Sequence, residues 1–148
     1  MTLDPGVINI IPGRARLSLD IRAPSDAQVG SIVEKAIAAA DEFALGRGLR
    51  ASYSERQRMP SAALEPGVIA AIERSAGATG ARWRRMMSGA AHDTMCIASH
   101  VPSAMLFVPC RDGISHSPSE YASPADAALG IDVLLNTVME LTQPGGPR

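Results

Sequence analysis

Lysine is nearly absent from this chain: Lys35 is the only one, and arginine carries the rest of the positive charge. The arginines are scattered and balanced by acids, 14 Lys and Arg against 15 Asp and Glu, which leaves a net charge of −1. The scarcity of lysine therefore reads as composition rather than function. No one-signed patch is available to bind nucleic acid or an anionic membrane surface. There is no run of about 18 apolar residues, which excludes a helical membrane span. The residues Met1, Thr2, Leu3, Asp4 and Pro5 form neither a basic nor an apolar leader, so no signal peptide is expected. Cysteine is limited to Cys96 and Cys110, in apolar surroundings and without CxxC spacing. That favours reduced, buried thiols and a cytoplasmic location over a disulfide framework or a cysteine metal site. Internal repeats and low-complexity segments are also lacking.

What remains is an ordinary globular composition, 46% hydrophobic and 20% charged over 148 residues. Such a chain can form one domain or two small pieces of larger ones, with a real core. Residues 7–11 are a β-branched run suited to a buried strand, punctuated by Pro12-Gly13. Residues 14–22 then alternate, with Ala15, Leu17, Leu19 and Ile21 on one face and Arg16, Ser18, Asp20 and Arg22 on the other. That period of two predicts a half-exposed antiparallel strand. Pro24-Ser25-Asp26 predicts a turn and a helix cap. Val29, Ile32, Val33, Ala36, Ile37 and Ala40 recur at helical spacing to about Leu45, where Gly46 and Gly48 stop the helix. Residues 49–57 alternate again as a strand.

Strand, strand, helix, strand is part of a ferredoxin-like unit that needs one more strand and helix ahead of it. Without them the sheet keeps an unpaired apolar edge, which proteins normally avoid. The expectation is a chain that is truncated or that pairs with another chain.

After a proline-marked linker near residues 58–65 the grammar changes. A helix is expected over 66–76 (Val68, Ile69 and Ile72 inward) and a strand over 82–87, with Met86 and Met87 packed. A tight loop Ser88-Gly89-Ala90-Ala91 leads into a short helix over 93–99. The continuous apolar run 103–109 suits a buried parallel strand. A polar loop then precedes a last helix over 125–142, and residues 144–148 are expected to be disordered by composition. Helix and strand alternate in this half, as in an α/β sheet with covering helices.

In open α/β sheets ligands collect at loops beyond the carboxyl ends of strands. Two loops qualify, residues 88–94 and residues 110–120, and each carries a histidine among small residues and hydroxyls. Small residues let backbone amides approach a ligand, and a neutral imidazole can bind metal. One histidine makes no metal site, and a loop histidine is as readily structural. Asp93 stands where the short helix begins, as a cap or first-turn acid. His100 reads as surface.

Read as an ordered set, Asn9-Ile10-Ile11-Pro12-Gly13, Asp20-Ile21-Arg22, Ser88-Gly89-Ala90-Ala91-His92-Asp93, and Phe107-Val108-Pro109 with the 113–120 loop (Gly113 to Glu120) carry a resemblance. The chain resembles the zinc-dependent amidohydrolases that act on N-carbamoyl-L-amino acids, N-carbamoyl-β-alanine (β-ureidopropionase) and allantoate, relatives of zinc aminopeptidases and glutamate carboxypeptidases. The resemblance covers about residues 5–143. It implies an α/β fold in two parts. Residues 1–58 would be the C-terminal part of a ferredoxin-like α+β lid, or dimerisation, domain, and residues 59–143 the C-terminal part of a zinc-aminopeptidase-like catalytic domain.

The resemblance also assigns roles. Asn9 and Arg22 match residues that hold the substrate carboxylate, an arginine fork gripping it with two charge-assisted bonds. Ala91 matches a backbone contact to substrate where relatives often carry glycine. His116 matches the last metal-ligand histidine. On the reading of the residues themselves, His92 and Asp93 stand behind the site, and Glu120 faces away as a supporting or capping group. The family's complete enzyme uses two zinc (or manganese) ions, a bridging water and a glutamate base. It draws on an upstream His-x-Asp and a Glu-Glu pair, neither of which occurs here. The expectation is therefore a chain of an amidohydrolase that alone binds metal weakly and is inactive, and that acts on a small ureido or N-carbamoyl acid. Its partner would be a second copy or a missing N-terminal half. The alternatives are a non-catalytic dimerisation or carboxylate-binding module of the same descent, and a small amino-acid-binding regulatory domain.

Overall fold

A computed structural model describes residues 1–143. The expectation of disorder for residues 144–148 lies outside the described residues. The chain divides into two compact units, Met1–Pro60 and Ser61 onward.

In the first unit, strand β1 (Thr2–Asp4) pairs antiparallel with β2 (Arg14–Arg16), with Leu3 opposite Ala15. Residues 7–11, expected as a buried strand, instead form a turn in which Ile10 N donates to the Val7 carbonyl at 3.5 Å. They are exposed, Ile8 completely so. A strand exists only where a partner supplies the other half of its ladder, and here the β1 backbone, not residues 7–11, faces β2. Residues 17–22 likewise extend beyond the ladder and expose Leu17 and Leu19.

Helix α1 (Asp26–Leu45) forms as its periodicity dictates. Ser25 is extended and accepts from Gln28 N through its hydroxyl at 3.3 Å, so one of the helix's first amides is satisfied. Val29, Val33, Ala36, Ile37 and Ala40 are half-buried, and no residue of α1 is fully buried. Residues 49–57 do not form the expected strand. They run back without a ladder, and the Tyr53 hydroxyl donates to Asp41 at 2.7 Å.

The second unit is built on two packed helices, α2 (Pro66–Ala78) and α4 (Pro124–Thr142). Both begin with proline at the first helical position, where its missing N–H and fixed φ cost nothing. Ser123 caps α4 by accepting from Asp126 N at 3.0 Å. The core is small: Ala71, Ser75 and Ala76 of α2 with Val133 and Thr137 of α4. Thr137 satisfies its hydroxyl on the Val133 carbonyl at 2.7 Å, and Arg74 pairs with Glu140 across the two helices. Val68, Ile69 and Ile72 are half-buried, so small residues rather than the large ones set the closest approach.

Helix α3 (Thr94–Ile97) is a single turn. The expected strands 82–87 and 103–109 belong to no helix or sheet among the described residues. Met86 and Met87 are exposed rather than packed, because nothing covers that segment. For the same reason the thiols are not buried: Cys96 is exposed, Cys110 is half-exposed, and both are free. No helix among the described residues is long and apolar enough to cross a membrane. The described chain is thus mostly helical with one small sheet.

Candidate functional site

In the first unit, Arg22 is engaged with a carboxylate. Its Nε and Nη2 donate to the two oxygens of Asp20 at 3.0 and 2.7 Å, a bidentate fork. The pair stands two residues apart in the chain, beyond the end of β2. The hydrogen bonds and charge of Arg22 hold the Asp20 carboxyl below the usual carboxylate range, and Asp20 raises Arg22 in return. Both side chains remain more than half exposed, so solvent screens the pair and a competing carboxylate can reach it. Asn9 occupies the exposed turn of residues 7–10.

In the second unit, the loop before α3 is organised by Ser88. Its hydroxyl accepts from Ala90 N at 3.3 Å and points its proton at the Ala90 carbonyl at 3.2 Å. The same oxygen lies 2.9 Å from His92 Nε2. The ring also meets the Phe107 ring in an edge arrangement, centroids 5.7 Å apart at 62°. Ser88 and Phe107 thus both hold His92, while Ala91 is exposed. Asp93 stands at the residue before α3, but its side chain makes no capping bond; its carbonyl instead accepts from Cys96 N at 2.9 Å. Asp93 itself has helical φ and ψ, not the extended backbone from which a cap side chain reaches the first amides.

The second loop turns through three left-handed residues, Asp112 (φ 56°), Gly113 (φ 67°) and His116 (φ 57°). Its ends are closed by Arg111 N donating to the Tyr121 carbonyl at 2.8 Å, with the Arg111 guanidinium 4.9 Å above the Tyr121 ring. His116 is exposed, its Nδ1 3.1 Å from the Ser115 hydroxyl. Its backbone N–H donates to the Glu120 carboxylate at 2.7 Å. Glu120 therefore braces the strained backbone of His116 and leaves the imidazole alone.

Among the described residues, no three histidine, cysteine, aspartate or glutamate side chains gather as metal ligands. His116 offers one imidazole, and stable zinc sites take three or four protein ligands. The residues described do not by themselves compose a metal centre.

The sequence matches peptidase family M20/M25/M40 over residues 4–140. The chain belongs to that family. It is 39% identical to the N-carbamoyl-L-amino acid amidohydrolase of Geobacillus stearothermophilus over 94% of its own length and 34% of that protein's. It is 34% identical to the allantoate amidohydrolase of Bacillus subtilis, over 95% of this chain and 34% of that protein. The ureidoglycolate hydrolase of Oryza sativa is also 34% identical, over 96% of this chain and 30% of that protein. Among solved structures, a hydantoinase/carbamoylase family amidase from Burkholderia ambifaria superposes with a TM-score of 0.71 at 34% identity. That match covers 78% of this chain and 27% of the amidase. The chain thus spans about a third of the length of the relatives it matches.

Two partners of the candidate residues were not singled out from sequence, although their signals were present. Asp20 and Arg22 share a strand face by the period of two. Ser88 stands four residues before His92 in a loop rich in small residues, where a hydroxyl is the nearest polar group a ring can use.

Proposed function

We propose that this chain forms part of a metal-dependent amidohydrolase that cleaves a linear amide C–N bond in N-carbamoyl amino acids, allantoate or related ureido acids. Residues 1–58 would be the C-terminal part of its lid and dimerisation domain, and residues 59–143 the C-terminal part of its catalytic domain. Arg22 and Asn9 would bind the substrate carboxylate, Ala91 would present its backbone to the substrate, and His116 would be one ligand of a zinc or manganese centre. His92 would stand behind the site, oriented by Ser88.

The observation that carries the reading is the Arg22 fork. It holds a carboxylate, that of Asp20, in bidentate fashion, which is the chemistry the family resemblance assigns to this arginine. Substrate would displace an exposed ion pair, and guanidinium geometry would select a planar, two-oxygen anion.

The test is a titration of the 148-residue chain with an N-carbamoyl-L-amino acid, followed through the Arg22 Nε–H resonance. Binding should shift that signal, and methyl esterification of the ligand should abolish the shift. An unshifted signal at saturating ligand sinks the carboxylate assignment. Metal content after zinc loading and gel filtration, with ammonia release assayed on the same sample, tests the rest. Turnover by the chain alone would overturn its role as a part that needs completion.

A further inference from the structure

The Nε–Nη2 edge of Arg22 is filled from within the chain. Nε donates to one Asp20 oxygen at 3.0 Å and Nη2 to the other at 2.7 Å. Nε carries a single proton, and Nη2 turns only one of its two toward this edge. The edge therefore serves one carboxylate at a time. A ligand carboxylate takes it in the same two-bond geometry only after Asp20 has left.

Asp20 is placed both to occupy the edge and to give it up. It stands two residues from Arg22, beyond the β1–β2 ladder that ends at Arg16. A tether that short keeps its carboxylate at an effective concentration on the order of millimolar or above. Arg22 holds the Asp20 carboxyl below the usual carboxylate range, so at neutral pH the occupant is charged. Among the described residues, its hydrogen bonds go to Arg22 alone. The Asp20 side chain is 70% exposed, so on release it returns to water rather than leaving a buried, unpaired charge. A pair this exposed favours its closed form only about two- to fivefold, a margin that a small ligand can overcome. The pair also ties no two elements together, unlike Arg74–Glu140, which links α2 to α4.

We infer that Asp20 is an internal competitor for the carboxylate-binding edge of Arg22 and sets the affinity of that edge for a ligand, an inference that rests on the carboxylate role proposed for Arg22. Asp20 also steadies the guanidinium, which works in the opposite sense. Competition outweighs that help, because the edge cannot be shared and steadying an exposed side chain gains little.

The test is a titration of the 148-residue chain and of Asp20→Asn with N-carbamoyl-L-alanine at neutral pH. It follows the Arg22 Nε–H resonance, the Asp20 carboxyl carbon and the dissociation constant. In the wild type, the Asp20 carbon should move in step with the Arg22 signal. It should move toward its position in Arg22→Gln, which marks the unpaired carboxylate. Asp20→Asn should bind the ligand about two- to sixfold more tightly, and the methyl ester should displace nothing. An Asp20 carbon that stays in place while Arg22 reports binding overturns the competitor role, because the ligand then meets Arg22 elsewhere. Equal affinities, or weaker binding by Asp20→Asn, overturn it too, since the aspartate then readies the arginine instead of blocking it. Both of those results leave the carboxylate role of Arg22 standing. An Arg22 signal unshifted in both proteins removes that role, and the competitor with it.

Discussion

Gly130 of α4 lies so close to Val108 that a Cβ added there would come within 2.5 Å of the Val108 Cγ1. The contact is where the segment 103–109 meets the helix, and valine cannot swing aside because its branched Cβ confines it to few rotamers. Glycine in mid-helix is otherwise a poor choice, about 1 kcal/mol worse than alanine. Its presence is explained by that contact.

Gly130→Ala should therefore destabilise the protein despite the better helix propensity. Overpacking costs about 1–3 kcal/mol, which outweighs the propensity gain. In a Val108→Ala background the same substitution should become stabilising, because the opposing methyl is gone. Urea midpoints of the four proteins measure this directly, and a stabilising Gly130→Ala in the wild-type background would show that the segment does not meet the helix there.

The Asp20–Arg22 pair carries a pH signature. Asp20 titrates below its ordinary 3.8 because Arg22 donates to and attracts the carboxylate. The folded protein thus binds the Asp20 proton less readily than the unfolded chain does. The pair's contribution is complete above the unfolded value and is lost as pH falls through the lower folded one. In a carbon-13 titration Asp20 should retain its charge to lower pH than an isolated aspartate, and Arg22→Gln should return it to the ordinary range. An identical Asp20 curve in both proteins would mean that the fork is not formed in solution.

Helices were legible in the sequence because their determinants are local. Ser25, the apolar recurrence from Val29 to Ala40, and the proline starts at Pro66 and Pro124 together bound three helices within a residue or two. The strands were not, because a strand is a relation between segments. Residues 7–11, 49–57, 82–87 and 103–109 all have strand composition, yet none has a ladder among the described residues. The same division runs through the site. The loops bearing His92 and His116 could be placed from their punctuation, and the Arg22 position from its alternation. That Glu120 bonds the His116 backbone, and Asp20 the Arg22 fork, depends on side-chain geometry that no spacing specifies.

The Ser88 hydroxyl and the tautomer of His92 are coupled, because one hydroxyl proton is shared between two acceptors. Given to the Ala90 carbonyl at 3.2 Å, it leaves the ring to donate from Nε2 across the 2.9 Å contact, with the lone pair on Nδ1. Nitrogen-15 shifts of the ring should show the Nε2–H form in the wild type. Ser88→Ala should bring the two nitrogens toward the mixed values of an unrestrained imidazole, and Ser88→Thr should preserve the wild-type pattern. A ring protonated on Nδ1 in the wild type would mean that the serine donates to the histidine instead.

His116 occupies a strained turn that Glu120 braces. Its φ of 57° lies in the left-handed region, where a side chain costs about 1–2 kcal/mol. Glycine would relieve that strain while losing about 0.5–1 kcal/mol to its freedom in the unfolded chain. His116→Gly should therefore leave stability unchanged or raise it by up to about 1 kcal/mol, provided that the backbone N–H still donates to Glu120. The matched test is Glu120→Gln, which weakens the bond that braces the strained backbone and leaves the imidazole in place. It should lower the unfolding midpoint in the His116 protein and do so less in the His116→Gly protein, where the turn needs no brace. Equal losses in both backgrounds would show that Glu120 supports the loop for some reason other than the histidine's conformation.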